Sequence, residues 1–296
     1  MSIQFVVAQT NELQTVIQKG HHAVVKAVAY SPNGKYVATA SRDKTAKLWA
    51  VASGLEIRTF FGHQHTVNGI VFSPDGTKIA TSSADKTAKI WDIETGDILW
   101  SSKEFERYLT SVSFSPDGKL LALGGHGDKV YIFNPTTNDT VKIFKVNPDR
   151  GFGYGIDTEF SPDGRWFAIG EDNKTATVYS TKNWELVYTL KPEKSSCQGC
   201  GSFISFSPNS KYLAKIANDG KLNEYRLSDG LLKHTYIPAS DDISAVQYSA
   251  NGSLLLGANE TQVSIFNTKN HKNIVTFSPD VKEINSVIFS PDLKQY

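Results

Sequence analysis

Cysteine, methionine and net charge are all scarce in this chain: 296 residues carry two cysteines, one methionine and a formal charge of +1. Two cysteines cannot staple a small secreted framework. They stand as Cys197 and Cys200 in a C-x-x-C, which is half a zinc site with no second C-x-x-C or H-x-x-H to complete it. The helix start that activates a thioredoxin-like thiolate is missing as well. The pair therefore reads as incidental loop cysteines, with a disulfide or a metal as the lesser alternatives. Near-neutral charge argues against a nucleic-acid footprint, which needs a basic stripe. The lysines Lys44, Lys47, Lys86 and Lys89 read as solvated turn residues. No apolar run reaches the length of a membrane span. Enzyme signatures are also wanting: there is no G-x-S-x-G, no H-E-x-x-H and no P-loop lysine. Gly151-Phe152-Gly153-Tyr154-Gly155 alternates glycine without the strand and helix of a nucleotide fold. No catalytic residue and no cofactor are expected. Ile3 to Ala8 is apolar and ends like the tail of a secretory signal, but it is short and lacks a basic flank. It is expected to act only as a remnant of such a signal, if at all; otherwise a soluble cytoplasmic chain is favoured.

What the chain has in quantity is repetition. From His63 to Asp92 a short alternating strand (Val67 to Phe72) meets the turn Ser73-Pro74-Asp75-Gly76, then a strand at Ile79 to Ser83. A tight turn at Ala84-Asp85-Lys86 leads to a third strand, Thr87 to Trp91, and Thr95-Gly96-Asp97 to a fourth. Proline presets φ in the first turn and glycine is free to take φ > 0. The last residue before each such turn recurs at Tyr30, Phe72, Phe114, Phe160, Phe206, Tyr248 and Phe289, spaced 42, 42, 46, 46, 42 and 41 residues. A third-strand aromatic follows at Trp49, Trp91, Phe133, Tyr179, Tyr225 and Phe266. One four-stranded sheet cannot bury both faces alone, so such units stack.

With Gly62-His63 and Trp91-Asp92, this pattern resembles the WD40 repeat family over nearly the whole chain. The resemblance implies an all-β fold: a single seven-bladed WD40 β-propeller spanning 1–296. Running the register backwards makes residues 3–8 and 13–18 the third and fourth strands of a closing blade whose first strand is Glu283 to Phe289. Both termini then share that blade, and it lacks a second strand. Because the chain stops mid-motif at Tyr296, it is expected to be a fragment of a longer protein.

The family carries a buried tetrad in each blade, matched here by His21, Thr39 or Ser41, Asp43 and Trp49, and by His63, Thr81 or Ser83, Asp85 and Trp91. A His-Asp-hydroxyl group invites comparison with a hydrolase triad, but the resemblance implies a structural network. In later blades Asp128, Asn173, Asp219 and Glu260 occupy or approximate the turn acid, and His126 reads as a turn residue between second and third strands. Asp157 and Glu159 lie on the inner strand of blade four. All variation in length falls in loops between blades, at 145–155 and 191–201, where repeat proteins place binding. The expected function is a non-catalytic scaffold or adaptor, a monomer whose top rim binds a protein or peptide partner. By family position the rim candidates are Arg42 and Ala84; loop content adds Arg107, Arg150, Phe152 and Tyr154. Two rivals are a sensor segment of a larger effector, fused to a caspase-like protease or a kinase, and a propeller enzyme working in its central channel.

Overall fold

Proline and glycine set the rhythm of the fold, because each strand pair is closed by a turn that only certain residues can make. A computed structural model describes residues 3–9, 12–18, 20–146, 156–171, 175–191, 203–217, 219–239, 243–280 and 283–291. They form a hairpin, β1 (Ile3–Gln9) and β2 (Glu12–Gln18), and six four-stranded antiparallel sheets in meander order. Blade one takes β3 (Val25–Tyr30), β4 (Tyr36–Ser41), β5 (Ala46–Ala50) and β6 (Glu56–Phe60). Blade two takes β7 (Val67–Phe72), β8 (Lys78–Ser83), β9 (Ala88–Asp92) and β10 (Ile98–Ser101). Blade three takes β11 (Leu109–Phe114), β12 (Leu121–Gly125), β13 (Lys129–Asn134) and β14 (Asp139–Lys145). Blade four takes β15 (Asp157–Phe160), β16 (Trp166–Gly170), β17 (Ala176–Ser180) and β18 (Leu186–Leu190). Blade five takes β19 (Ile204–Phe206), β20 (Tyr212–Ile216), β21 (Leu222–Arg226) and β22 (Leu232–Tyr236), and blade six β23 (Ala245–Tyr248), β24 (Leu254–Ala258), β25 (Val263–Asn267) and β26 (Asn273–Phe277). The described residues fall into two compact units, one within Met1–Lys145 and Asn285–Tyr296, the other within Val146–Ile284.

The blade count corrects the sequence expectation of seven. Among the described residues six sheets are complete, and the hairpin stands as a two-stranded sheet. The segment expected as the closing first strand, Glu283 to Phe289, forms no ladder. Among the described residues no strand forms a ladder with it, which would require a neighbour about 4.8 Å away. Ile288 nonetheless packs on the blade-one face made by Val28, Val37 and Trp49.

The Ser-Pro-Asp-Gly turns show why their residues are needed. Ser73 Oγ accepts from Lys78 N–H at 3.0 Å and donates to Asp75 Oδ1 at 2.5 Å, while Gly76 takes φ 70°. The turn between third and fourth strands is equally regular. Its fifth residue is left-handed in all six blades: Gly54, Gly96, Asn138, Trp184, Gly230 and His271. Three of these are not glycine, and Trp184 uses the turn to set its ring near Phe160 and Phe167, with centroids 6.4 and 6.1 Å away.

The core lies between blades. Ala38, Leu48 and Phe60 of blade one meet Val67, Phe72, Ile79 and Trp91 of blade two. Ala80 and Ile90 of blade two likewise meet Leu109, Leu121 and Leu123 of blade three. In the second unit blade four meets blade five, and five meets six. Alanine at the same second-strand position (Ala38, Ala80, Ala122, Ala168, Ala214) is fully buried, since a larger side chain would hold the sheets apart.

Polar side chains add a second set of ties between blades. On four of the outer strands, β6, β10, β18 and β22, the residue two before the inward-facing end reaches the left-handed turn of the next blade. Arg58 donates to the carbonyls of Ile93, Glu94 and Thr95 around Gly96. Trp100 Nε1 donates to Asn138 Oδ1 at 3.0 Å. Tyr188 lies where a side chain on Gly230 would collide with its ring, and His234 stacks on His271 with centroids 3.9 Å apart. The inner strands are tied too: Asp157 Oδ2 accepts from Ile204 N–H at 3.1 Å and Glu159 Oε2 from Phe206 N–H at 2.9 Å.

Candidate functional site

Blades one and two each bring four distant side chains together. In blade one, His21 Nδ1 lies 2.7 Å from Asp43 Oδ2, and His21 Nε2 lies 2.8 Å from Thr39 Oγ1. Trp49 Nε1 donates to the same hydroxyl at 2.8 Å. The corresponding distances in blade two, through His63, Asp85, Thr81 and Trp91, are 2.7, 2.8 and 2.9 Å. The donors fix the direction of the chain. An ionised carboxylate only accepts, so His21 Nδ1 carries the proton, Nε2 accepts from Thr39 O–H, and Thr39 accepts from the indole. That arrangement requires a neutral imidazole. Burial lowers the His21 pKa more than the Asp43 charge raises it, which keeps the ring neutral. Burial also pushes the Asp43 carboxyl up, but hydrogen bonds from Thr45 and His21 outweigh it and hold Asp43 at about 2.

Of the two hydroxyls considered per blade, threonine supplies the one in the network. Ser41 and Ser83 stand outside it. Ser41 Oγ donates to Val24 O at 3.1 Å and accepts from Asp43 N–H at 3.1 Å, and Ser83 does the same with Thr66 O at 2.9 Å and Asp85 N–H at 3.0 Å. Strand alternation does not separate the two, since Thr39 and Ser41 are two apart on β4; Ser41 is the last residue of the strand and bonds to the loop carbonyl of Val24 instead. Thr39 and Thr81 have no exposed surface, so neither hydroxyl can meet a substrate. A fifth member escaped the sequence reading. Thr45 Oγ1 donates to Asp43 Oδ1 at 2.6 Å and Thr87 Oγ1 to Asp85 Oδ1 at 2.7 Å. The repeated Asp-Lys-Thr at 43–45 and 85–87 was the available signal.

Blade three replaces the whole network. By register, Phe105, Leu123, Gly127 and Phe133 hold the four positions, so the turn acid is absent and Asp128 stands one residue too late, exposed. Phe105 instead packs on Tyr131 and Phe133, with centroids at 4.8 and 5.9 Å. One further correction concerns Lys47. It is buried on β5, and its ammonium meets Glu56 Oε2 and Thr59 Oγ1, each at 2.7 Å. Strand position, not turn position, accounts for that.

Above these networks the rim of blades one to three is built on one template. The residue before the turn acid donates its backbone N–H to the incoming loop: Arg42 to Val24 O and Ala84 to Thr66 O, both at 2.8 Å, and His126 to Tyr108 O at 3.0 Å. Each first strand then opens on a β-bulge, at Lys26, Asn68 and Thr110. Bulges re-aim a side chain at a sheet edge, and these three were not legible in the sequence. Arg42 and Arg107 are exposed, Ala84 is half-buried, and Tyr108 (38% exposed) sets its ring 4.4 Å from His126. Arg150, Phe152, Tyr154, Cys197 and Cys200, and most of both long loops, lie outside the described residues. Among the described residues no cluster of three His, Cys, Asp or Glu is placed to hold a metal ion, and no helix is long and apolar enough to cross a membrane.

Comparison with known proteins agrees with this geometry. The sequence model of the WD domain, G-beta repeat, matches residues 11–50, 54–92 and 101–134. The first match spans β2 to β5, the second β6 to β9, and the third runs from the end of β10 through β13. The chain carries WD40 repeats, and its fold is of the β-propeller class. Among curated proteins it is similar to the Ribosome biogenesis protein BOP1 homolog of Drosophila virilis, 40% identical over 47 residues. The homologs of Drosophila ananassae and Drosophila melanogaster are 38% identical over 47 residues. Each match covers 16% of this chain and 6% of the relative's length.

Proposed function

We propose that this chain is a non-catalytic adaptor whose rim, in blades one to three, binds a segment of a partner protein. The observation that carries this reading is the shared rim template. Three blades hold an equivalent residue (Arg42, Ala84, His126) against the incoming loop by the same backbone hydrogen bond. In blades one and two a buried network lies beneath it. A stiff backbone presenting unlike side chains suits recognition, because little ordering entropy is lost on binding. Arg42, Arg107 and Tyr108 are the residue types that anchor interfaces. The match to the Ribosome biogenesis protein BOP1 homologs has about the length of one repeat, so it supports the repeat and not a role in ribosome biogenesis.

The test is site-specific photo-crosslinking in cells. A crosslinking residue at position 42, 84 or 107 is expected to trap a defined partner, and the same residue at outer-strand position 57 is not. Equal yields at all four positions would refute a rim site.

A further inference from the structure

The three rim templates share a backbone but differ in charge. At the bulge stand Lys26, Asn68 and Thr110; before the turn acid Arg42, Ala84 and His126; after it Lys44, Lys86 and Asp128. Blade one therefore carries a cation at every position. Lys26, Arg42 and Lys44 are all exposed, and among the described residues none has an ion-pair partner. In blade two the single cation, Lys86, lies 3.2 Å from Glu104, and in blade three the position is an acid.

The nearest acid cannot neutralise the trio. Asp43 Oδ2 already accepts from His21 Nδ1–H at 2.7 Å and His22 N–H at 3.0 Å. Asp43 Oδ1 accepts from Thr45 N–H at 3.0 Å and Thr45 O–H at 2.6 Å. Two hydrogen bonds per oxygen use the lone pairs of a carboxylate. The Asp43 charge offsets part of the local field, but it offers no atom to Arg42 or Lys44. Lys44 stands at the left-handed position of the turn (φ 74°) and is exposed there.

We propose that the rim of blade one binds an acidic peptide segment of the partner, with Lys26, Arg42 and Lys44 as its contacts. This rests on the adaptor reading and narrows it to a chemical class. Clustered aspartate or glutamate suits such a charge: guanidinium takes a carboxylate bidentately, and the two lysines add ammonium donors. A nucleic-acid backbone would need a longer basic track. Blade two interrupts one with Ala84 and a paired lysine.

The experiment is fluorescence anisotropy of the full chain with a short labelled glutamate-rich peptide. A glutamine-for-glutamate peptide and single-stranded DNA of similar length run beside it. Saturable binding of the glutamate peptide is expected, weakening as salt rises from roughly 0.02 to roughly 0.3 M. Arg42→Glu should weaken it about tenfold and Lys26→Gln or Lys44→Gln less, with Lys86→Gln as the unaffected control. Thermal melts of each variant exclude unfolding, which these exposed positions should not cause. The proposal is overturned if glutamate and glutamine peptides bind alike, or if no saturation is reached by about 1 mM. It is equally overturned if Arg42→Glu leaves binding intact or if DNA binds more tightly. If rim photo-crosslinks persist in Arg42→Glu, the adaptor reading stands and only the acidic class fails. If no rim crosslinks form, the adaptor reading itself fails.

Discussion

Replacing Asp85 by alanine tests whether the buried network of blade two stabilises the fold as its geometry implies. The Asp85 carboxylate accepts from His63 Nδ1–H at 2.7 Å, Gln64 N–H at 2.8 Å, Thr87 N–H at 2.9 Å and Thr87 O–H at 2.7 Å. Water can replace the partner of the exposed Gln64. His63 is buried, so its ring N–H is left unsatisfied, which costs about 1–3 kcal/mol. The charge-assisted bonds to half-buried Thr87 add about 1 kcal/mol. A total loss of about 2–4 kcal/mol is expected, read by urea unfolding followed through tryptophan fluorescence near neutral pH. Asp85→Asn sharpens the test. Its NH2 must face either His63 Nδ1–H or the Thr87 backbone N–H, both donors, and reversing the His63 tautomer would break the bond from Thr81. The asparagine variant should therefore lose at least about 1 kcal/mol although its shape is unchanged. Pairing Asp85→Ala with Thr81→Val should give a non-additivity of about 1 kcal/mol, as expected for one network. Asp128→Ala, on the matching turn of blade three but exposed, should stay within about 0.5 kcal/mol. A loss below about 0.5 kcal/mol for Asp85→Ala, or a neutral Asp85→Asn, would refute the reasoning.

Three other outcomes follow from the same geometry. His21 is lowered by burial in spite of Asp43, and His234 by burial and then by the electrostatic effect of the neighbouring His271. The unfolded chain takes up protons that the folded protein refuses below about pH 6.5, so stability should fall as pH drops through that range; His234→Gln should flatten part of the slope in a pH series of melts. Asp43 has a linkage of the same sign in a separate, more acidic window: held at about 2 against 3.8, its contribution is complete above the ordinary carboxylate range and lost as pH falls towards 2. Arg58→Ala should cost about 1 kcal/mol, because three carbonyls lose a charged donor at a partly exposed site; Arg58→Lys should not restore it, since an ammonium cannot span the three. Trp184→Gly separates two effects of opposite sign. Relief of a left-handed tryptophan (φ 59°) should stabilise by about 1 kcal/mol, and loss of ring packing near Phe160 and Phe167 should cost more. Net destabilisation in a chemical melt is expected, and a more stable variant would show that the ring contributes little.

Much of this fold was legible because a repeat declares itself. The spacing of Tyr30, Phe72 and Phe114, and of Trp49, Trp91 and Phe133, reflects a fixed strand length between two buried anchors, and local turn chemistry sets that length. The strands expected in blade two lie close to those observed, and the four network members of blades one and two were within reach by position. What misled were residues whose surroundings come from elsewhere in the chain. Lys47 reads as a turn lysine until β5 buries it against Glu56 and Thr59. Ser41 and Thr39 are indistinguishable by type, and only the end of β4 separates them. Asp128 looks like a turn acid although it is one residue out of register.

By itself, then, the sequence determined the unit: four short strands, their turns and the side chains each sheet must bury. Those are local matters of φ, alternation and spacing. Only the tertiary structure decided how many units are complete, because a strand counts when it joins a ladder, and among the described residues Glu283 to Phe289 joins none. Tertiary structure alone also revealed the bulges at Lys26, Asn68 and Thr110, and the outer-strand side chains that grip the next blade's turn. Such contacts join residues about 40 positions apart, and a pattern repeated every blade carries no record of which neighbour fills it.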